Sequence, residues 1–237
     1  MREPFWTLIT TLIMACEGPA LTLNSALEVF PDRKVAELAS AACDGDLEKV
    51  RRALAAGADV NGRGNEGFTP LFWAMNCRNI ASVQFLLSKG ADPNVRLEDG
   101  TSAVWLAATY KDPRFLRALA AAGGSLNGVQ ENRDTSALLG GMTSGFQNGV
   151  WDNYYFALEA GADVNIRYGP MPGTTVAEKA VGLGLFDKAL ELVERGYKHD
   201  LDRLERHAES RKIDESSPQA GFKRLLLEKL RSRPRYA

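Results

Sequence analysis

Ala56-Gly57-Ala58-Asp59-Val60-Asn61 returns as Lys89-Gly90-Ala91-Asp92-Pro93-Asn94 and again as Ala122-Gly123-Gly124-Ser125-Leu126-Asn127, the glycine advancing by 33 residues each time. A fourth copy, Ala160-Gly161-Ala162-Asp163-Val164-Asn165, follows 38 residues later, and Arg195-Gly196-Tyr197 is a weaker fifth end. A fixed period of this length marks an array in which each copy is one supersecondary unit.

A second phrase runs in phase upstream of these ends. Gly67-Phe68-Thr69-Pro70-Leu71-Phe72-Trp73-Ala74 is followed in the same frame by Gly100-Thr101-Ser102-Ala103-Val104-Trp105-Leu106-Ala107. Thr135-Ser136-Ala137-Leu138 and Thr174-Thr175-Val176-Ala177 are looser versions. Leu71, Ala74 and Met75 share one helical face, as do Val83, Leu86 and Leu87 further on. Pro70 sits where a helix needs no amide donor, and Gly57, Gly90, Gly123 and Gly161 sit where a helix ends most cheaply in left-handed backbone. Each helix pair is too small to bury its own apolar face, so neighbouring pairs must stack.

The two phrases resemble the ankyrin family, whose signature reads G-x-T-P-L-H-x-A, across residues 35–197. The resemblance implies an all-α solenoid of about five helix-pair repeats with short hairpin loops. The first repeat keeps only its helical part, Val35 to Ala56, with Asp44-Gly45-Asp46-Leu47-Glu48 at the turn. Phe72, Trp105, Leu139 and Glu178 replace the family histidine, so apolar packing is expected where its hydrogen-bond bridge would be. The fourth repeat carries extra residues around Thr143 to Gly149 and Gly140-Gly141 in its first helix, which predicts a longer inter-helix loop there. Beyond residue 197, Asp200 to Lys212 and a helix opened by Ser217-Pro218 are expected to cap the stack.

Residues 1–15 have the pattern of a signal peptide: Arg2 in a short positive region, then an uncharged, largely apolar run from Phe5 to Ala15. That run is too short for a spanning helix, which needs about 20 residues. It closes at Ile13-Met14-Ala15-Cys16, which resembles a bacterial lipoprotein box. The resemblance implies acylation of Cys16, a linker over 16–34 and a periplasmic location; Glu17 in place of aspartate favours the outer membrane over the inner. An ordinary secretory signal or a hydrophobic N-terminal helix are the alternatives.

The composition excludes several classes. A formal net charge of -1 gives no concentrated positive surface for nucleic acid. Three cysteines and two histidines are too few for a zinc cage or a disulfide framework. No nucleophile elbow, metal-binding helix motif or phosphate loop occurs in the required context, so neither an enzyme, a cofactor, a metal site nor a small-molecule substrate is expected. His199 and His207 read as surface residues, and the basic run from Lys223-Arg224 to Arg235 as a solvated helix face. Cys43 and Cys77 fall near the ends of the first helices of adjacent repeats. A typical helix spacing of about 8–10 Å favours two free thiols over a disulfide, though an oxidising compartment would permit the bond.

In the ankyrin family a protein partner lies along the hairpin tips and the exposed side of the first helices. Carried onto this chain, the resemblance gives Arg63, Glu66, Phe68, Arg96, Glu98, Thr101, Arg133, Arg167 and Tyr168 at tips, with Trp73, Asn76 and Tyr110 on helices. Aromatic and arginine anchors carry most binding energy at such surfaces, and burial of Phe68 and Tyr168 in a tip looks hard to arrange. For Trp73 and Trp105 the competing reading is core packing. The chain is similar to bacterial ankyrin lipoproteins that act as immunity proteins against secreted antibacterial effectors, often lipases, of type VI systems. A scaffold for another periplasmic protein is the alternative.

Overall fold

The computed structural model describes residues 23–130, 133–134, 136–168 and 174–233. The helices fall into two compact units: Met1–Ala107 with Asp112–Ser125, and Ala108–Lys111 with Leu126–Ala237.

In the first unit α1 (Leu23–Val29) precedes three helix pairs: α2 (Arg33–Asp44) with α3 (Leu47–Ala55), α4 (Pro70–Asn76) with α5 (Ile80–Ser88), and α6 (Ala103–Thr109) with α7 (Arg114–Ala121); α6 runs across the boundary between the units. The second unit holds α8 (Ala137–Asn148) with α9 (Asp152–Glu159) and α10 (Val176–Leu183) with α11 (Phe186–Glu194), then α12 (Leu201–Ser210) and α13 (Pro218–Arg231). Among the described residues, strand is confined to two-residue ladders, β1 (Val129–Gln130) with β2 (Arg133–Asp134) and β3 (Arg167–Tyr168) with β4 (Thr174–Thr175). The architecture is the expected all-α array of helix-pair repeats.

The first helices of the second to fifth pairs each start on a hydroxyl. Thr69 accepts from the Phe72 N–H, Ser102 from Trp105, Ser136 from Leu139 and Thr175 from Glu178. Such a cap satisfies an amide that has no partner inside the helix. Each second helix ends on a glycine in left-handed backbone, with φ of 86° at Gly57, 89° at Gly90, 90° at Gly123, 82° at Gly161 and 98° at Gly196. The period in the sequence is therefore a period in backbone conformation.

Asparagines tie these turns to one another. Asn61 Nδ2 donates to the Gly90 carbonyl at 3.0 Å while its Oδ1 accepts from the Asp92 N–H at 2.8 Å. Asn94 repeats the pair on Gly123 and Ser125, and Asn165 on Gly196 and Lys198. One line of hydrogen bonds between repeats thus runs along the ends of the second helices. At the family-histidine position Phe72 is fully buried, in line with apolar packing. Glu178 stays polar: it closes a capping box with Thr175 and pairs with Arg203 at 2.8 Å.

Four expectations need correction. Part of the segment read as a linker is folded: α1 packs on α2, Ala26 and Phe30 are buried, and the Phe30 ring meets Trp73 edge-on at 5.8 Å. A Cβ on Gly64 would stand 2.6 Å from the Val29 carbonyl oxygen, so this segment lies directly on the first hairpin.

Cys43 and Cys77 form a disulfide. Their Cα atoms are 5.2 Å apart, inside the range a bridge needs. Average helix spacing misled, because both residues lie at helix ends and the Asn79 side chain reaches back to the Cys43 carbonyl.

The extra residues of the fourth repeat lengthen its first helix, not its loop. Helix α8 has 12 residues where α4 has 7. Glycine makes this packing possible: a Cβ on Gly141 would lie 2.5 Å from the Tyr154 nitrogen, and one on Gly145 would lie 2.3 Å from the Trp151 ring. The propensity cost of glycine is outweighed by close approach of α9.

Phe68 is the fourth. It is only 2% exposed and meets Phe72 and Trp73 edge-on at 6.2 Å each. Two successive left-handed residues, Glu66 (φ 57°) and Gly67 (φ 78°), turn the chain so that Phe68 points inward.

Candidate protein-binding surface

In the first unit the hairpin tips of neighbouring repeats are joined. The Glu66 carbonyl accepts from the Glu98 N–H at 2.9 Å, and Gly67 lies so close to Arg96–Glu98 that a Cβ there would be 3.2 Å from the Arg96 oxygen. Arg63 and Glu98 are exposed at these tips, and Glu66 and Arg96 are partly exposed. These four are among the tip residues that present charge to solvent, on backbone joined through Glu66 and Glu98.

Other candidates are used internally. Trp73 is 1% exposed and lies in the core with Phe30 and Phe68. Thr101 is 8% exposed, its N–H and hydroxyl both donated to Asp99 at 2.8 and 2.9 Å. Asn76 remains half-buried on α4, with its Nδ2 buried and unpartnered.

In the second unit Arg167 is exposed and Tyr168 half-buried on β3, which lies beside the β1–β2 ladder. Arg133 occupies β2 opposite Gln130. Tyr110 is 5% exposed, and its carbonyl and that of Ala108 both accept from Asn153 Nδ2, at 2.8 and 3.0 Å. Phe68, Trp73, Thr101 and Tyr110 are therefore parts of the scaffold, not side chains offered to a partner. Cys16 lies outside the described residues.

Two groups of side chains have no precedent in the pattern. Phe146 is 50% exposed near the end of the lengthened α8. On α9 and α11, Lys188 Nζ donates to the Tyr155 hydroxyl at 2.6 Å, sits 4.9 Å from the Trp151 and Tyr155 ring centroids, and pairs with Asp187 at 3.2 Å. Burial pulls this ammonium down, but the Tyr155 hydroxyl and the Asp187 carboxylate outweigh it and hold the lysine above its ordinary value. Burial, with Glu191 nearby, pushes the Tyr154 phenol up. Nothing in the one-dimensional pattern announces this cage, because its members come from different helices.

Among the described residues no group of three His, Cys, Asp or Glu is placed to hold a metal ion. An open depression of about 540 Å³ lies along α13, lined by Arg224, Leu227, Glu228, Arg231 and Ser232. Its lining has no nucleophile paired with a general base.

Residues 12–96 match the family model described as "Ankyrin repeats (3 copies)". Over those residues the chain is similar to ankyrin repeats. The match starts within the segment read as a signal peptide. The chain is 35% identical over 128 residues to "Mitochondrial disaggregase" of Bos taurus, covering 54% of this chain and 17% of that protein. It is 33% identical over 119 residues to "Protein PhlB" of Serratia liquefaciens, covering 50% and 51%. It is 41% identical over 69 residues to "DNA-binding protein RFXANK" of Homo sapiens, covering 29% and 26%. The chain thus spans about half or less of the length of each of these relatives. Ankyrin repeats generally mediate protein–protein binding.

Proposed function

We propose that this chain is a non-enzymatic binding module, tethered in the periplasm by a lipid on Cys16, that captures and neutralises a secreted antibacterial effector such as a lipase. The observation that carries the binding part is the joined pair of tips in the first unit, where Arg63, Glu66, Arg96 and Glu98 stand on backbone linked through Glu66 and Glu98. Alternating charges on a rigid base set register and on-rate with a complementary partner. The Cys43–Cys77 disulfide supports export, since such bonds persist in oxidising compartments. Ile13-Met14-Ala15-Cys16 supports acylation, and a position beyond the inner membrane is the expected destination when glutamate follows the cysteine.

Capture from periplasmic extract by the wild-type chain, compared with Arg63→Glu and Glu98→Arg, tests the surface. Both substitutions should leave the fold intact and weaken capture by about tenfold or more; equal capture removes the tips from the site. Toxicity of a neighbouring gene expressed alone should be relieved by this chain. Capture without relief would favour a scaffold instead. Palmitate labelling should vanish in Cys16→Ser, and its persistence would remove the anchor.

A further inference from the structure

Asp152, Tyr155 and Glu159 recur at i, i+3 and i+7 along α9, so they share one helical face, and all three are exposed. Tyr155 is 39% exposed yet fixed in place: its hydroxyl accepts from Lys188 at 2.6 Å and its ring meets Tyr154 edge-on at 5.4 Å. One turn before it, the Trp151 ring lies against Gly145, and the next residue of α8, Phe146, is half exposed. An aromatic side chain already held in one position loses little freedom when something binds to it.

Charge says what that something is. Glu159 is the last residue of α9, where the negative end of the helix disfavours a carboxylate. The same place in the first three repeats holds Ala55, Ser88 or Ala121. In the fifth it holds Glu194, which Lys229 answers at 3.7 Å. Among the described residues neither Glu159 nor Asp152 meets a cation. Lys188 is turned inward to Asp187 and the Tyr155 hydroxyl. Two unanswered carboxylates on either side of a fixed aromatic ring repel an anionic membrane and attract a basic chain.

We propose that this face of α9 docks a basic segment of another protein. Two cationic side chains meet Asp152 and Glu159, and an apolar one between them lies on Tyr155. The carboxylates are seven residues apart in the sequence, which is about 10 Å along a helix at about 1.5 Å per residue. A segment matches that spacing with its cations about seven residues apart on a helix, or about three apart in an extended chain. Apolar burial on the ring supplies affinity, and the charges set direction and register. None of the tip residues belongs to this face.

Panning a random peptide library on the full chain, with counter-selection on an Asp152→Asn/Tyr155→Ala/Glu159→Gln chain, tests this. Surviving peptides should carry two Arg or Lys residues at one of those spacings around an apolar residue. Fluorescence polarisation of such a peptide should show about tenfold weaker binding to Tyr155→Ala and to Glu159→Lys, and unchanged binding to Arg63→Glu. Glu159→Lys should keep or raise the thermal midpoint, since a cation suits the helix end, so its lost binding is not lost folding. Replacing the matching cation of the peptide by glutamate should restore binding to Glu159→Lys. An empty counter-selected pool, survivors without the paired cations, equal binding to Tyr155→Ala and Glu159→Lys, dependence on Arg63, or failure of the charge reversal would each overturn the proposal.

Discussion

Asn94 holds Gly123 from across a repeat boundary: its Nδ2 donates to the glycine carbonyl at 3.1 Å, and its Oδ1 accepts from the Ser125 N–H at 2.7 Å. One amide group thereby satisfies the acceptor and the donor that the next left-handed turn leaves open. The motif residue is a hydrogen-bonded strut.

Asn94→Ala should therefore lower stability by about 1–2 kcal/mol, two exposed hydrogen bonds being worth roughly that. Asn94→Asp keeps the acceptor and loses the donor, so it should fall between. Urea unfolding midpoints check both; an alanine variant as stable as the parent would deny the strut its role.

The Cys43–Cys77 bond closes a sequence separation of 34 residues and joins the first two repeats. Loop closure in the unfolded chain makes such a bridge worth about 3–4 kcal/mol. Cys43→Ser/Cys77→Ser should lose about that much, and dithiothreitol should bring the parent chain down to the same midpoint. Insensitivity to reductant would show the bond to be absent in solution.

Gly141 and Gly145 let α9 lie against α8, and each would place an alanine methyl inside 2.6 Å of Tyr154 or Trp151. Overpacking of this kind costs about 1–3 kcal/mol. Gly141→Ala and Gly145→Ala should each lower the thermal midpoint, whereas Gly221→Ala, with open space and helical backbone, should leave it unchanged or raise it. Differential scanning calorimetry distinguishes these outcomes.

Tyr154 is fully buried and its hydroxyl has no partner. Removing an unsatisfied buried hydroxyl should help, so Tyr154→Phe is expected to gain about 1 kcal/mol at neutral pH. Burial also raises this phenol above its ordinary 10.0 in the folded chain. The unfolded chain loses that proton first, so the stability is whole below pH 10 and is lost as pH rises beyond it. Lys188, held above 10.5, is lost in the same direction. Unfolding free energies measured from pH 8 to about 11.5 should fall less steeply for Tyr154→Phe than for the parent.

The glycine period, the capping hydroxyls Thr69, Ser102, Ser136 and Thr175, and the phase of Leu71 and Leu86 were all legible in the chain, since each is a local consequence of helix geometry. Exposure at the tips was half legible. Arg63 and Glu98 are exposed at the tips, but Phe68 is not, because its direction depends on two left-handed residues before it and on the Phe72 and Trp73 rings it packs against. Exposure belongs to the packed molecule, and a motif position alone says nothing of it.

Sequence alone determined the repeat period, its turn glycines and that neighbours must stack, because the 3.6-residue period, caps and turn glycines act over a few bonds. Tertiary structure decided the rest. It brought Cys43 to Cys77, turned the glycines of α8 from a defect into a seat for α9, and gathered Trp151, Tyr155 and Asp187 around Lys188. Those outcomes depend on distances between elements, which are set only when every apolar face has found its cover.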